Sequence, residues 1–388
     1  MRPTLHVAPV VVTNDGPPLR PGAVAVQDGA VVAVGEPGEV AAEVPGARTR
    51  DWDGILTPGL VNAHTHLQYT AFADLATLGL PFTEWIRRMS ARRRDVSDAA
   101  WAESTRTGVF LALRSGTTTV ADVVSDPAAL APVVRSGLGG VSYLEAVAYD
   151  EDRWARSGRD RLVRCLTGAA AGRRLGVSPH AVYTLSGGAF ADACRVARER
   201  GLRVHPHLAE TVDEVELVAL GTGRLAALNV EFGLAMPLPD GGAGVGPAEY
   251  VDSLGGLGPD VHVAHGTHLD AADRALLRAR GTAVALCVRS NRVLHAGRPP
   301  VAAYLAEGSP LALGTDSLAS SPSLDLLEEA RAVRDLTRAE GYDAADLDRR
   351  VVEAATLGGA RALGLDDVGV LRPGARADLA VFAVPTDG

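Results

Sequence analysis

Four short segments carry, in order, side chains suited to binding a metal and moving protons. They are Pro58-Gly59-Leu60-Val61-Asn62-Ala63-His64-Thr65-His66, His207-Leu208-Ala209-Glu210, Ala264-His265-Gly266 and Gly314-Thr315-Asp316-Ser317. His64 and His66 lie two apart, and on a strand residues i and i+2 face the same side. Both imidazoles can therefore reach one ion. Histidine and carboxylate are good zinc donors, and a catalytic site keeps one position open for water. The third histidine is His207 or His205, again two apart. Spacing does not separate them. Glu210, three residues after His207, favours His207, because it can hang over the bound water, and leaves His205 behind the site or in the core. Asp316 completes the set: a short carboxylate at a strand end can hold the ion and accept a proton from water. Its competing reading is an N-cap of the next helix, but Ser321 or Ser323 lies nearer the expected helix start. With four protein donors in hand, His265 is better used to polarise or protonate at the reacting carbon. Asp122 is read as supporting the site from behind. His262 is expected on the face opposite Val263, and His268 beyond its strand. His6 and His295 read as surface or loop residues.

These residues need a scaffold that brings distant segments to one place. The chain has 388 residues, 47% hydrophobic and 22% charged, which is ordinary for a globular protein and long enough to bury a large core. The region 57–365 alternates strands with helices. Apolar strands are expected at Thr118–Ala121, Val261–Ala264 and Leu311–Leu313, and helices at Leu326–Leu336 and Asp346–Leu363. Alternation of this kind suggests a (β/α)8 TIM-type barrel, an α/β fold of about 250 residues whose active site lies at the C-terminal strand ends. Residues 1–56 read as short strands, including Val10–Thr13 and Ala23–Val26, with turn signals at Asn14-Asp15-Gly16 and Asp28-Gly29. The segment 366–388 repeats this texture, with a strand at Ala377–Phe382. Neither end can bury a sheet alone, so a small composite β-sandwich built from both termini is expected. Gly241–Gly246 lacks the ending of a phosphate loop and reads as part of a lid.

Composition closes off several functions. The net charge is −9, and an acidic surface repels a phosphate backbone, so nucleic-acid binding is not expected. No apolar run of about 18 residues is present, so a cytoplasmic protein with no membrane partner is the expectation. Cys165, Cys194 and Cys287 are odd in number and far apart, which excludes a disulfide framework and a Cys-x-x-Cys zinc site. A homodimer is left open.

The four segments in this order resemble the amidohydrolase superfamily, in its cytosine/adenosine-deaminase-like branch with the chlorohydrolases, guanine deaminase and adenosylhomocysteine deaminase. The resemblance spans nearly the whole chain, up to Gly369–Val381. It implies a barrel with a composite sandwich, one divalent ion (Zn²⁺ or Fe²⁺) and hydrolytic deamination. Some relatives bridge two metals with a carboxylated lysine; this chain has no lysine, all 38 basic residues being arginine, so a one-metal site is the natural reading. The resemblance assigns His64, His66, His207 and Asp316 to the metal, Glu210 and His265 to proton handling, and His180 to substrate contact. Leu80–Ile86 resembles a segment that brings a glutamate to ribose hydroxyls, which would be Glu84, with Trp85 beside it or anchoring a helix. Val288-Arg289-Ser290-Asn291 departs at Val288 from the Pro-x-Ser-Asn pattern common there. Arg289 is open between a substrate anion and a surface salt bridge. Arg289, Gln68 in Leu67–Thr70 and the Ser317–Ser323 run look most like 6-amino-6-deoxyfutalosine deaminases of the menaquinone pathway.

The implied reaction is attack of water on C6 of an aminopurine nucleoside, with release of ammonia. A divalent ion lowers the pKa of bound water from about 15.7 toward 7. Glu210 protonates the ring nitrogen, Asp316 shares the water's proton, and His265 stabilises the tetrahedral centre. The alternatives are deamination of adenosine, adenosylhomocysteine, guanine or a formimino amino acid, hydrolysis of a triazine or cyclic amide, and a non-catalytic metal- or ligand-binding relative.

Overall fold

The computed structural model describes residues 2–168, 172–239 and 241–383. Six strands precede the first motif: β1 Thr4–Ala8, β2 Val10–Val11, β3 Gly22–Gln27, β4 Ala30–Gly35, β5 Arg48–Asp51 and β6 Ile55–Pro58. The order β4-β3-β1-β5 makes one sheet. Its turns use left-handed residues where the sequence placed turn signals: Asn14 at φ 58°, Asp28 at φ 52° and Gly29 at φ 80°. These residue types tolerate that conformation best.

The next strands are β7 Leu60–Thr65, β8 Thr117–Val124, β9 Gly139–Ala146, β10 Arg174–Pro179, β11 Arg203–Val204, β12 His207–Leu208, β13 His262–His265, β14 Ala283–Leu286 and β15 Leu311–Leu313. Neighbours run parallel, with Thr65 opposite Asp122, Val177 opposite Val204, Leu208 opposite His265 and Leu286 opposite Leu313. β11 and β12 are two halves of one stave. The break falls at His205-Pro206, where proline has no N–H for the ladder. Parallel bridges Val204–Val261 and Thr65–Asp316 join the two arcs. The result is the expected TIM-type barrel. Val61, Ala63, Ala121, Val141, Tyr143 and Ala285 fill its interior.

The outer helices follow from amphipathic spacing. In Leu326–Ala339 the buried Leu326, Ala330, Val333 and Thr337 recur on one face. Its N-cap is Asp325, which accepts hydrogen bonds from Leu327 N and Glu328 N, not Ser321 or Ser323. The helix expected at 346–363 is present as Leu347–Glu353, a π-turn Ala354–Gly358 and Gly359–Ala362. Among the described residues no helix is long and apolar enough to cross a membrane. The stretch at 241–246 packs on the end of helix Val212–Leu220, with Ala243 N donating to Val218 O at 2.6 Å and Gly244 N to Ala219 O at 3.1 Å.

The chain then returns to its beginning. β16 Leu379–Phe382 runs antiparallel to β6, with Leu379 opposite Pro58 and Phe382 opposite Ile55, and β2 runs parallel to β6. Val368–Leu371 is not a strand, but Leu371 N donates to Thr13 O at 2.8 Å and Asn14 Nδ2 to Gly369 O at 2.7 Å. Ala8, Val11, Val24, Val31, Leu56 and Leu371 share one buried apolar cluster, so both sheets and both ends of the chain meet in it. Of the expected C-terminal segment, residues 384–388 lie outside the described residues.

Gly59 sits where β6 hands over to β7. A Cβ there would lie 2.1 Å from Thr118 Oγ1, closer than any real contact. Gly59→Ala should therefore destabilise the fold by about 1–3 kcal/mol through overpacking. The urea midpoint checks this; an unchanged midpoint would mean that the Thr118 side chain moves aside without cost.

Candidate active site

The motif residues converge at the C-terminal ends of the barrel strands. His64 lies near the end of β7 and His66 just past it; His207 opens β12, His265 ends β13 and Asp316 follows β15. His64, His66 and His207 each offer a donor atom within 4.8 Å of the others, and His64, His265 and Asp316 form a second such trio. His64 belongs to both, so the five side chains surround one region. Asp316 Oδ1 is 3.5 Å from His64 Nε2 and 3.7 Å from His66 Nε2. His64 Nε2 and both ring nitrogens of His265 are buried without a hydrogen-bond partner among the described residues. Buried polar atoms normally have one. Imidazole nitrogens left unpaired beside a carboxylate, around a common point, are what a divalent ion would satisfy.

The electrostatics suit that use. Burial lowers the His66 and His265 imidazoles to about 3. Burial, with His180 and His64 nearby, also holds His207 well below the usual histidine range. These rings are neutral and keep a lone pair. Burial alone would raise Asp316, but the nearby His64, His66 and His265 outweigh that and hold it well below the usual carboxylate range. Asp316 thus stays ionised.

Hydrogen bonds hold several of these residues in place. Asp316 Oδ2 accepts from Ser290 Oγ at 2.6 Å and Ser320 Oγ at 2.8 Å, and Oδ1 from Ser317 N at 2.8 Å. Asn62 of the first motif clasps Thr315 of the fourth, donating to Oγ1 at 2.7 Å and accepting from its backbone N at 3.1 Å. His207 Nδ1 lies 2.9 Å from His180 O. A carbonyl only accepts, so Nδ1 carries the hydrogen and Nε2 is left as the donor atom. Ala209, His265 and Asp316 all have left-handed backbones, at φ 49°, 72° and 58°. Such conformations cost about 1–3 kcal/mol each and concentrate at functional sites.

Glu210 stands beside this group. Its Oε1 is 3.5 Å from His265 Nε2, and its Oε2 accepts from Tyr183 OH at 3.2 Å. Burial pushes its carboxyl well above the usual range, and the nearby Asp316 and Glu214 add to that. Glu210 therefore favours the protonated form, the opposite of Asp316. Glu214 clamps the turn beneath it, accepting from Ala209 N and Glu210 N, both at 2.9 Å.

Above the donors opens a cavity. Its apolar lining includes Phe82, Trp85, Met89, Leu225, Leu228 and Phe232, and its polar lining Tyr69, Arg93, Glu145, His180 and Tyr183. His180 faces it as expected, its Nδ1 2.8 Å from Thr184 Oγ1 and its Nε2 3.8 Å from Glu145 Oε1. Trp85 both lines the cavity and anchors its helix, donating from Nε1 to Ala319 O at 2.7 Å.

Three expected substrate contacts fall elsewhere. Helix Phe82–Arg93 turns Phe82, Trp85, Met89 and Arg93 toward the cavity. Glu84 lies off that stripe and pairs with Arg87 at 3.1 Å and Arg88 at 3.0 Å. Gln68 is buried beneath the site, where its Oε1 accepts from Asp126 N at 3.2 Å. Arg289 is buried but turned away, with NH2 2.6 Å from Glu328 Oε2 and NH1 3.0 Å from Ser323 Oγ. Its helix, Val288–Val293, aims Ser290 at Asp316. The adjacent position is then rotated by about 100°. Conversely, Arg93, Glu145, Tyr69 and Tyr183 were not singled out from the sequence. Arg93 was readable in principle, since it continues the helical stripe of Phe82 and Met89. The others sit in segments without a local signature. Asp122 supports the site as expected, its Oδ1 accepting from Leu67 N at 3.0 Å. His268 bonds through Nε2 to Ala296 O at 2.5 Å, away from the donors.

A sequence model of the amidohydrolase family matches residues 55–387. A 5-methylthioadenosine/S-adenosylhomocysteine deaminase of Pelotomaculum thermopropionicum is 32% identical over 387 residues, covering 95% of this chain and 82% of the relative. An aminodeoxyfutalosine deaminase of Deinococcus radiodurans is 32% identical over 364 residues, covering 92% and 84%. The crystal structure of an adenosine deaminase from Xanthomonas campestris with bound zinc superposes with a TM-score of 0.77 at 29% identity, covering 97% of this chain and 83% of that one.

Burial raises the Asp122 carboxyl from 3.8 to about 7. The folded state thus binds the proton more tightly than the unfolded chain. This group's contribution to stability falls as pH rises from 3.8 to about 7 and is level above that. Asp122→Asn keeps the acceptor for Leu67 N and should remove that share of the slope. Urea midpoints at about pH 5 and about pH 8 measure it. An unchanged slope would show that Asp122 does not titrate in this window.

Proposed function

The chain belongs to the amidohydrolase family, as a metal-dependent hydrolytic enzyme acting on C–N bonds, and we propose that its reaction is deamination of an aminopurine nucleoside with release of ammonia. The observation that carries this reading is the contrast between two buried carboxyls: Asp316 among the histidines, accepting from Ser290, Ser317 and Ser320, and Glu210 beside His265, its carboxyl pushed up by burial. Deamination at C6 needs both, an acceptor for a proton from water and a donor for the ring nitrogen. The two relatives named as nucleoside deaminases support the substrate class.

His64, His66, His207 and Asp316 would hold one divalent ion, for which zinc is the first expectation and iron the second. The ion supplies Lewis-acid activation of water and acidifies it. Asp316 takes a proton from the attacking water. Glu210 gives its proton to the ring nitrogen, which draws electron density from C6 as the new C–O bond forms. His265 donates to the oxygen at the tetrahedral carbon. The carbon–nitrogen bond then breaks, with the proton returned to the leaving amine as ammonia. Trp85 and His180 would bind the nucleoside. On the same reading 1–56 and 366–388 form a composite β-sandwich and 57–365 the barrel, which the apolar cluster shared by both termini supports.

Within this class we favour a nucleoside with an anionic ribosyl substituent, such as 6-amino-6-deoxyfutalosine, a cytoplasmic menaquinone precursor carrying a benzoate. The support comes from Arg93, half-buried in the cavity wall, rather than from Arg289. Arg93 also borders a second cavity lined by Arg153, Arg161 and Arg164. Guanidinium groups recognise carboxylates well.

Zinc-loaded protein should release ammonia from 6-amino-6-deoxyfutalosine faster than from adenosine, methylthioadenosine, adenosylhomocysteine or guanine. Preference for neutral adenosines keeps the reaction and discards the anionic substituent; no ammonia from any of these substrates discards the reaction. Glu210→Gln should retain one equivalent of metal and lose about 10² to 10⁴ in kcat. Full turnover by that variant would remove Glu210 from proton transfer. His207→Ala should lose the metal itself, measured as metal content after dialysis.

A further inference from the structure

Two histidines lie in the barrel beneath the donors and are used by no step above. His205 and His262 are fully buried, and their rings stack 3.9 Å apart at an interplanar angle of 13°. His205 Nε2 is 2.8 Å from His64 Nδ1, and His205 Nδ1 is 2.8 Å from His262 O. His262 Nε2 is 3.0 Å from Ala63 O. The path leaves the backbone at Ala63, passes through two histidines and re-enters at the His64 side chain.

The donors along it can be assigned. Both carbonyls only accept, so His262 Nε2 and His205 Nδ1 each carry a hydrogen. A neutral imidazole has one hydrogen, and in each ring a carbonyl already claims it. His205 Nε2 is therefore an acceptor, and the hydrogen between it and His64 sits on His64 Nδ1. The remaining His64 nitrogen, Nε2, is the buried atom without a partner that faces Asp316.

We propose that His205, backed by His262, is a positioning residue that locks His64 in the one tautomer able to offer Nε2 to a divalent ion. This rests on the reading of His64 as a metal ligand. Without the acceptor at position 205, the His64 ring can rotate about its side-chain bonds or carry its hydrogen on Nε2. Either change removes a lone pair from the donor set. His262 Nδ1 has no hydrogen-bond partner among the described residues, so that residue is kept in the core at the cost of an unpaired polar atom. Stacking on His205 and bonding to Ala63 give it a use there. Partners of this kind typically change metal affinity about 10- to 100-fold when removed.

The test is Zn²⁺ affinity by competition with a chromophoric chelator on the full chain, with the thermal midpoint of the metal-free protein as a check on folding. His205→Leu should bind Zn²⁺ about 10- to 100-fold more weakly. His205→Gln, whose amide offers both an acceptor and a donor, should recover most of that loss. An affinity for His205→Leu within about twofold of wild type, against the fold-changes expected, would overturn the proposal. His64→Ala separates the two ideas, because unimpaired Zn²⁺ binding there would sink the assignment of His64 as a ligand. Should the leucine variant not fold, the wild-type metal-free protein still decides. Long-range ¹⁵N–¹H spectra of histidine-labelled protein should show His64 hydrogenated at Nδ1, and hydrogenation at Nε2 would refute the lock.

Discussion

One backbone contact organises the molecule: Asp316 N donates to His64 O at 3.0 Å, where the Thr65–Asp316 bridge joins the last barrel strand to the first. A parallel barrel has no free edge only if its terminal strands pair. Here that pairing is made at the level of the donors themselves. Closing the barrel and assembling the site are thus one event. The Asp316 backbone is left-handed, and Ser290, Ser317 and Ser320 hold its carboxylate in place. Loss of the clasp between Asn62 and Thr315 would loosen both at once.

The site's electrostatics come from dehydration rather than from a large net field. Burial holds His66, His207 and His265 below the usual histidine range, so each stays neutral and keeps a lone pair. One carboxylate, Asp316, gains enough hydrogen bonds to remain ionised. The other, Glu210, favours its proton because it is buried, with Asp316 and Glu214 nearby. Two carboxylic acids in one cavity are pushed to opposite states by their surroundings, which is how an acid and a base can coexist near neutral pH.

Chemistry and selectivity are built from different parts of the chain. The reacting groups ride on barrel strands, whose register is set by ladders and by a packed interior. The cavity wall is drawn from the helix Phe82–Arg93 and the segments after β9 and β10. Such segments can change without disturbing the ladder, as is usual for barrels of this type. Arg93, Glu145 and His180 form a polar line along that wall, and a second arginine-bearing cavity adjoins it.

The sequence alone singled out the residues proposed for the metal and for proton transfer, because they sit in short motifs at strand ends, where two-residue periodicity decides which way a side chain points. It also determined the alternating barrel and the return of the last strand to the first sheets, since neither end can bury a sheet alone. Tertiary structure decided the rest. Glu84 and Arg289 have the right chemistry for substrate contact. Yet a helix turns neighbouring side chains by about 100°, so Trp85 and Ser290 face the site while Glu84 and Arg289 meet salt-bridge partners. Gln68 was consumed by a backbone amide for the same kind of reason. The choice between His205 and His207 also waited for the fold. Pro206 breaks the strand between them, so His207 reaches the mouth while His205 stays below, bonded to His64. Arg93 continues the helical stripe of Phe82 and Met89, but its importance, like that of Glu145, comes from which surfaces the closed barrel brings face to face.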